Sequence, residues 1–252
     1  MANSISIASS HTSCEQCPIR GLPTFRDFSP EELSFVLRFR QGEHSADPGM
    51  AIIVEGENNP RLYTVLTGWG FRYKILEDGR RQILNYVLPG DMIGLQGNLM
   101  TEMQHSVEAL TPMTLCLFER ERLATLYREH PSLAYDITWI AAREESILDE
   151  HLLSIGRRSA RERAAYLLAF LDLRARTSGI AKLGRPVTLP LTQQHVADTL
   201  GLSLVHTNKT LRKLSKLGLI RWLDRGCEVL DMEGLYQMAG WRPPAESRRP
   251  FI

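Results

Sequence analysis

Between residues 191 and 220, apolar residues recur at the spacing of two short helices. The pattern predicts a first helix that Thr192 caps and that ends at Leu200, since Gly201 can adopt the left-handed turn that follows. Ser203 caps the predicted second helix, whose apolar positions keep a helical period. Those positions are Leu204, Thr207, Leu211, Leu214 and Leu217, and the opposite face carries His206, Asn208, Lys209, Arg212, Lys213 and Lys216. This arrangement is typical of a helix-turn-helix whose second helix enters the DNA major groove, and the alternative is a helical hairpin with a solvated basic face.

Apolar and polar residues alternate on both sides of Asp224-Arg225-Gly226, which predicts a β-hairpin directly after the second helix. A hairpin in this place makes a winged helix and puts Arg225 at the tip, where it would meet a phosphate. Residues 154–230 contain 14 Lys and Arg against 5 Asp and Glu, although the whole chain has a formal net charge of +1. A basic module attached to an acidic remainder is the electrostatic pattern of a nucleic-acid-binding protein.

Short alternating strands fill the chain from residue 40 to about 117. They are separated by turns at Gly68, Asp78-Gly79 and Pro89-Gly90-Asp91. Many short strands at even spacing predict an antiparallel barrel or sandwich. A short helix precedes them, with Ser29 as its cap and Pro30 at its first position.

A continuous helical pattern follows from residue 131 to about 155 and predicts one long helix that pairs with its copy in a homodimer. Glu144 and His151 interrupt the apolar seam, and we expect both to face solvent because the stripe is wider than a strict seam. The predicted dimer contacts are Leu133, Ile137, Ile140, Glu144, Ile147 and Leu148. A hinge is expected at residues 156–158.

Beyond the hinge, residues 159–174 predict a helix that buries Ala164, Leu167, Leu168 and Leu171. The polar first residues predict a mobile leader, and the proline-rich stretch after Gly240 predicts a disordered tail. The expected boundaries are 1–24 for the leader with its Cys-x-x-Cys pair, 25–128 for the barrel, 129–156 for the dimer helix, 157–233 for the winged helix and 234–252 for the tail.

Composition narrows the class of protein and its location. The 252 residues are 43% hydrophobic and 23% charged, which is ordinary for a globular chain. No apolar run approaches the roughly 20 residues that span a bilayer, and the first residues lack the features of a secretory signal. Four scattered cysteines do not form a disulfide framework, so we expect a cytoplasmic protein without membrane contact.

The predicted elements follow one another as barrel, long helix and winged helix. Three segments are characteristic of this arrangement: LPGDMIG (88–94), RSARERAAYLL (158–168) and the helix-turn-helix. With these motifs the chain resembles the CRP/FNR family of bacterial transcription regulators, in its FNR/FixK-like branch. The resemblance implies an α+β fold with an N-terminal antiparallel β-barrel of the cyclic-nucleotide-binding (jelly-roll) type, a dimerisation helix and a C-terminal winged helix-turn-helix. It also implies a homodimer that binds palindromic double-stranded DNA, has RNA polymerase as a further partner, and is controlled allosterically from the barrel or the N-terminal segment. The role of an activator fits this family, but the sequence leaves activation or repression open.

The family's base-reading positions fall on Val205, Asn208 and Lys209, where many members have glutamate, serine or glycine, and arginine. Asn208 can pair with adenine and Lys209 with guanine, while Val205 could pack on a thymine methyl group. His206 could reach a base or a phosphate. Phosphate contacts are expected from Thr192, Gln193, Ser203, Arg212 and Arg225. Because all three reading positions depart from the common pattern, the half-site sequence is not implied.

In cyclic-nucleotide-binding relatives, a glutamate and an arginine-serine pair hold the sugar and the cyclic phosphate. Leu95 occupies the place of the glutamate in this chain, and His105-Ser106 replaces the pair. Without the arginine, the phosphate loses its bidentate charged partner, so we expect no cAMP binding.

Oxygen-sensing relatives hold an iron–sulfur cluster with three N-terminal cysteines and one from the barrel. Cys14, Cys17 and Cys116 match three of the four, while the remaining N-terminal position is Pro23, which cannot bind iron. Cys227 lies on the wing and is no substitute. A cluster with another fourth ligand, for which His11 and Asp27 are near in sequence, is therefore the less favoured interpretation. The alternative is that Cys116 is a buried core thiol, and the cofactor stays undetermined.

Two other classes of function compete with the allosteric regulator. A regulator that binds DNA constitutively, with the barrel only as a scaffold, would show no change of DNA affinity with ligands or redox state. A cupin-type enzyme would need a close pair of histidines on one strand, but the barrel has only His44 and His105, far apart in sequence. The chain also lacks a nucleophile elbow, a P-loop and a dinucleotide fingerprint, so we expect no enzymatic activity.

Overall fold

A computed structural model describes residues 13–59, 61–180, 187–244 and 248–252. The chain divides into two compact units. The first holds Val87–Glu144 together with the described residues before Tyr73 and after 247, and the second holds Tyr73–Tyr86 and the described residues from Glu145 to 244. Residues 1–12 of the expected leader lie outside the described residues, but its second half is folded: Cys14–Gln16 form a short 3-10 helix, and Ile19 is buried in the core of the first unit.

The predicted antiparallel barrel is confirmed as two four-stranded sheets. One has the order β1-β8-β3-β6 and the other β2-β7-β4-β5. The strands are β1 (Arg40–Ala46), β2 (Ala51–Ile53), β3 (Arg61–Thr67), β4 (Gly70–Ile75), β5 (Arg81–Val87), β6 (Met92–Ile93), β7 (Ser106–Ala109) and β8 (Met113–Glu119). The inner faces of the sheets bury a continuous apolar cluster that includes Tyr63, Val65, Val107 and Leu115. Burial of this apolar surface is the main contribution that holds the two sheets together.

Four helices accompany or follow these strands. They are α1 (Pro30–Phe39), α2 (Leu95–Met100), α3 (Leu123–Glu129) and α4 (Pro131–Arg157). The start of α1 is the predicted one: the Ser29 hydroxyl accepts from the backbone N–H of Glu32, and the Glu32 carboxylate accepts from that of Ser29. The helix α2 was not predicted from the sequence.

The long helix α4 is confirmed, but its faces differ from the prediction. Leu133 and Ile137 pack into the core of the first unit. The expectation that Glu144 and His151 face solvent is wrong: Glu144 is half-buried in an ion pair with Arg72, and His151 is 8% exposed. The helix also continues through Gly156, so the expected hinge reduces to a break at residues 158–159.

The second unit is built around α5 (Ala160–Thr177), which buries not only the four predicted residues but also its neighbours on other faces. The other elements are β9 (Thr188–Leu189), α6 (Gln193–Leu200), α7 (Leu204–Lys216), β10 (Ile220–Leu223), β11 (Gly226–Val229) and α8 (Met232–Ala239). The last of these occupies positions that the sequence assigned to the tail, because Asp231 caps it and Leu235 is buried.

The hairpin tip between β4 and β5 belongs to the second unit and contacts α6. Arg81 Nε is 2.9 Å from Asp198 Oδ2, and the Gln82 amide donates to the Thr199 carbonyl oxygen at 2.9 Å. The Tyr86 hydroxyl lies 2.9 Å from the Thr199 hydroxyl. The sequence assigned β4 and β5 to the sensor barrel. The contacts of this hairpin therefore stabilise α6, the first helix of the helix-turn-helix.

The expectation of a disordered tail is wrong for its last part. Arg249, Phe251 and Ile252 are buried in the first unit, and Phe251 packs on Phe25 and Phe28. Residues 245–247 lie outside the described part of the chain. No described helix is long and apolar enough to cross a membrane.

Candidate nucleic-acid interface

Side-chain caps fix the two helices of the helix-turn-helix. The Thr192 hydroxyl accepts from the His195 N–H at 3.1 Å, and the His195 ring accepts from the Thr192 N–H at 3.2 Å. Gly201 ends α6 with a φ of +64°, in the left-handed region that glycine adopts without a Cβ clash. Ser203 then accepts from the His206 N–H at 3.3 Å and starts α7. These three predictions are confirmed.

The second helix, α7, turns one face to the core and one to solvent. Thr207, Thr210, Leu211 and Leu214 are buried, while Leu204 and Leu217, which the sequence placed on the same face, are exposed. The exposed basic face contains His206, Lys209, Arg212, Lys213 and Lys216, as predicted. Because its cationic side chains project away from the unit, this face can approach a polyanion without burying a charge.

The four candidate base readers are not equally exposed. Val205 is 65% exposed, and His206 and Lys209 are also exposed. Asn208 is half-buried, and its amide oxygen is buried without a hydrogen-bond partner among the described residues. A side-chain rotation that turned this unpaired amide outward would satisfy its oxygen and let it pair bidentately with a base edge.

The wing is a two-stranded hairpin with a third, short strand beside it. Cys227 pairs with Trp222 in β10 and with Leu189 in β9, so β11 is the central strand. Arg221 and Glu228 face each other across the hairpin, with Arg221 Nε 2.9 Å from Glu228 Oε2. Arg225 lies exposed at the tip. The predicted turn is confirmed, with Gly226 as the first residue of β11.

Gly226→Ala is expected to lower the free energy of unfolding by about 1–3 kcal/mol and to weaken DNA binding. Its φ is +147°, and a Cβ would collide with the carbonyl oxygen of Leu189 in β9. Thermal denaturation and DNA titration measure both effects. Gly156→Ala is the matched control, since its Cβ meets nothing within 4 Å and alanine favours a helix. Equal stability of the two variants would contradict this account.

Three of the five expected phosphate contacts line one open cleft of about 370 Å³ between the start of α6 and the wing. They are Thr192, Gln193 and Arg225. Trp222 and the exposed Leu204 supply its apolar part. Ser203 and Arg212 lie outside it, at the start and on the exposed face of α7. The cleft thus groups hydroxyl, amide and guanidinium donors beside the helix that carries the candidate base readers.

The first unit contains a cavity of about 240 Å³ at the position of the cyclic-nucleotide site. Leu95 and the buried His105 line it, while Ser106 does not and instead accepts from the backbone N–H of Glu55 at 3.0 Å. The Arg72–Glu144 ion pair forms another part of the wall. The cavity therefore lacks the glutamate and the arginine-serine pair that bind a cyclic nucleotide.

The three cysteines that match cluster ligands of the oxygen-sensing relatives are free thiols, and Cys116 is buried. Burial raises the pKa of Cys116 to about 12 and also raises the pKa of Cys17. Arg40 donates to Cys14 Sγ at 3.8 Å. Among the described residues, no group of three or more His, Cys, Asp or Glu could hold a metal ion. Cys227 is buried on the wing, and His11 lies outside the described residues.

Comparison with known proteins identifies both units. Residues 43–130 match the family described as "Cyclic nucleotide-binding domain", and residues 162–238 match the "Crp-like helix-turn-helix domain". The chain is 34% identical over 221 residues to "Transcriptional activatory protein AadR" of Rhodopseudomonas palustris, covering 86% of this chain and 90% of that protein. The chain belongs to the CRP/FNR family of transcription regulators.

Other members of the CRP/FNR family are similar to this chain over most of its length. "Nitrogen fixation regulation protein FixK" of Bradyrhizobium diazoefficiens is 33% identical over 218 residues, which is 86% of this chain and 90% of the relative. The solved structure of FixK2 from Bradyrhizobium japonicum superposes with a TM-score of 0.71 at 27% identity and covers 81% of this chain and 99% of that one. The protein is thus a DNA-binding transcription regulator of the CRP/FNR type, and its resemblance to the FNR/FixK-like branch is confirmed.

Sequence reasoning missed two parts of this machinery. The contact of the β4–β5 hairpin tip with α6 has no local signal, although the facing charges of Arg81 and Asp198 are visible once the two segments are known to meet. The wall that Arg249 and Pro250 contribute to the cavity was also missed, because the proline-rich composition of that stretch is typical of disorder.

Proposed function

We propose that two copies of the chain pair through α4 and place their α7 helices in the major groove of a palindromic DNA site. The observation that carries this proposal is the exposed basic face of α7, which presents Val205, His206 and Lys209 beside the half-buried Asn208. Two copies related by a two-fold axis read half-sites one helical turn apart. Thr192, Gln193, Ser203, Arg212 and Arg225 fix the register through the phosphates.

A selection of binding sites from random DNA tests this proposal. The wild-type protein should enrich a palindrome, and Asn208→Ala should relax the preference at one position of each half-site. Val205→Ala should relax a preference for thymine, because it removes the contact with the methyl group. Enrichment of no common sequence, or of the same sequence by all three proteins, would contradict the assignment of the base readers.

The pairing face that we propose differs from the predicted seam. Leu133 and Ile137 are occupied in the core of their own chain, and they cannot contact a second copy. Six of the exposed residues of α4 form a stripe with steps of three and four, as in a coiled-coil seam. They are Tyr135, Thr138, Ala142, Glu145, Asp149 and Leu152. We therefore place the contact with the second copy on this stripe.

Leu152→Asp is expected to raise the dimer dissociation constant by at least about a hundredfold, because each dimer would bury two unpaired carboxylates. Leu152 is 72% exposed in the single chain and lies on the proposed stripe. Sedimentation equilibrium measures the change. Leu99→Asp is the matched control, since Leu99 is equally exposed but lies on α2. An unchanged dimer in the first variant would move the interface away from this stripe.

We infer that the barrel regulates DNA binding rather than serving only as a scaffold. Two observations support regulation: the cavity of the first unit could hold a small molecule, and the hairpin tip that contacts α6 belongs to the same two strands that begin in the barrel. A ligand that prefers one arrangement of these strands would shift the DNA-binding equilibrium. A screen of small molecules by thermal shift, followed by DNA titration, distinguishes this from constitutive binding.

Activation of transcription through RNA polymerase is the expected output. AadR is named as a transcriptional activatory protein, and "Transcriptional activator protein FnrL" of Cereibacter sphaeroides is 29% identical over 230 residues. These relatives are named as transcription regulators, which supports a non-enzymatic role in the cytoplasm. Transcription in vitro by purified RNA polymerase, from a promoter that contains the selected palindrome, tests this proposal. The amount of transcript is compared with and without the protein.

A further inference from the structure

Residues 248–252 lie in a groove of the first unit and pair with residues 24–26 through the main chain. The Arg249 N–H donates to the Thr24 carbonyl oxygen at 2.8 Å, and the Arg26 N–H donates to the Arg249 carbonyl oxygen at 2.9 Å. These bonds form a parallel bridge between Phe25 and Arg249. The five residues belong to no helix or strand of their own.

Arg249 is the charged anchor of the segment and is 5% exposed. Its Nη1 lies 3.0 Å from Asp91 Oδ1, and its Nη2 donates to the Pro89 carbonyl oxygen at 2.9 Å. The guanidinium also stacks 4.4 Å from the centre of the Phe25 ring. The Asp91 carboxylate is held for this contact, because its other oxygen accepts from the Leu88 N–H at 2.8 Å.

Phe251 and Ile252 are the apolar anchors. The Phe251 ring lies 5.2 Å from that of Phe25 and 4.9 Å from that of Phe28, centre to centre. The Thr64 hydroxyl, in the central part of β3, donates to the Ile252 carbonyl oxygen. By contrast, Arg248 is exposed, and among the described residues its ion pair is with Asp27 at the surface, at 3.3 Å.

This set of contacts is typical of peptide recognition rather than of domain packing. Main-chain bonds align a short extended segment, while one buried charge and one aromatic ring fill specific places. The segment is also separated in sequence from the rest of the first unit by the whole second unit. Arg249 and Pro250 line the 240 Å³ cavity, so the segment forms part of its wall.

We propose that the groove formed by residues 24–28, Thr64 and 88–91 is a peptide-binding site whose ligand is Arg248–Ile252 of the same chain. The groove recognises a short basic-aromatic peptide through the Asp91 carboxylate and the rings of Phe25 and Phe28. Since the bound segment is part of the cavity wall, occupancy of the cavity and docking of the segment affect each other reciprocally.

The test adds the ligand back as a separate molecule. In the full chain, residues 248–252 are replaced by Gly-Ser-Gly-Ser-Gly, and a fluorescent peptide with the sequence of residues 248–252 is titrated by anisotropy. We expect saturable binding that falls at least about tenfold when the peptide carries Arg249→Ala, because it loses a buried ionic hydrogen bond. The Arg248→Ala peptide has the same charge as the Arg249→Ala peptide and should bind within about twofold of the original. No binding at about 1 mM, or an equal loss for both peptides, would overturn the proposal.

The intact protein gives a second measurement that needs no replaced segment. Arg249→Ala should increase hydrogen exchange of the Arg26 amide at least about tenfold, since the bond to the Arg249 carbonyl oxygen opens more often. Arg248→Ala should leave that amide unchanged. Equal exchange in the two variants would overturn the proposal, whatever the DNA affinity is, because the base readers on α7 are unaltered in both.

Discussion

Replacing Lys209 with alanine is expected to weaken binding to the selected palindrome by about 1–3 kcal/mol, or roughly 5- to 150-fold. Lys209 is exposed on the basic face of α7, next to Asn208 in sequence, and can donate to the N7 and O6 of guanine. Binding to unrelated DNA should fall much less, because the lost contacts are to a base edge. Titration of the palindrome and of a scrambled duplex at one fixed salt concentration measures the difference.

Arg212→Ala is the matched control for this prediction. Arg212 lies on the same exposed face but is assigned to a phosphate, so its loss should weaken both duplexes equally and reduce the salt dependence by about one counterion. If Lys209→Ala also weakened both duplexes equally, Lys209 would be a phosphate contact, and the reading of guanine would have to be assigned elsewhere.

His151 is expected to make the free energy of unfolding of the second unit fall with decreasing pH, by up to about 1.4 kcal/mol per pH unit. Burial, and secondarily the charge of Arg174, lowers the pKa of His151 to about 3. Its ring lies between Tyr166, whose hydroxyl is 2.8 Å from Nδ1, and Asn85, whose amide oxygen is 3.4 Å from Nε2. Because the unfolded chain takes up a proton near pH 6.5 and the folded chain does not, the loss extends from about pH 6.5 down to about pH 3.

Urea denaturation between pH 4 and 7 measures the effect as a difference between variants. His151→Asn should be less stable at pH 7, because it fills the site less well, but its stability should fall less steeply with acid. His206→Asn removes an exposed histidine and should keep the slope of the wild type. An equal slope in the wild type and in His151→Asn would mean that folding does not lower the pKa of His151.

The helix-turn-helix could be predicted because its determinants are local. Thr192 and Ser203 cap helices that begin one residue later, and Gly201 supplies a turn that its neighbours cannot. The hairpin of the wing likewise follows from alternation over ten residues. Each of these residues lies within a few positions of the helix end or turn that it specifies. The local sequence is therefore enough to predict these elements.

The errors have the opposite origin. His151 was placed in solvent because helical spacing says nothing about Asn85 and Tyr166, which bury it from distant parts of the chain. The segment 248–252 has the composition of a disordered tail, and only the distant groove of Phe25, Phe28 and Asp91 makes its burial favourable. Leu204 and Leu217 keep the apolar period, but the ends of α7 extend beyond the core that covers its middle.

The contact between the hairpin tip and α6 has a consequence for how such regulators can exchange parts. The compact unit that contains the helix-turn-helix comprises Tyr73–Tyr86 and the described residues from Glu145 to 244, so it is discontinuous in the gene. A single crossover near codon 157 would combine β4 and β5 of one regulator with α6 of another. The chimaera would lose the native pairs Arg81–Asp198 and Tyr86–Thr199. Functional chimaeras of this chain therefore require two coordinated exchanges, and recombination between paralogues is constrained by the hairpin as much as by the winged helix.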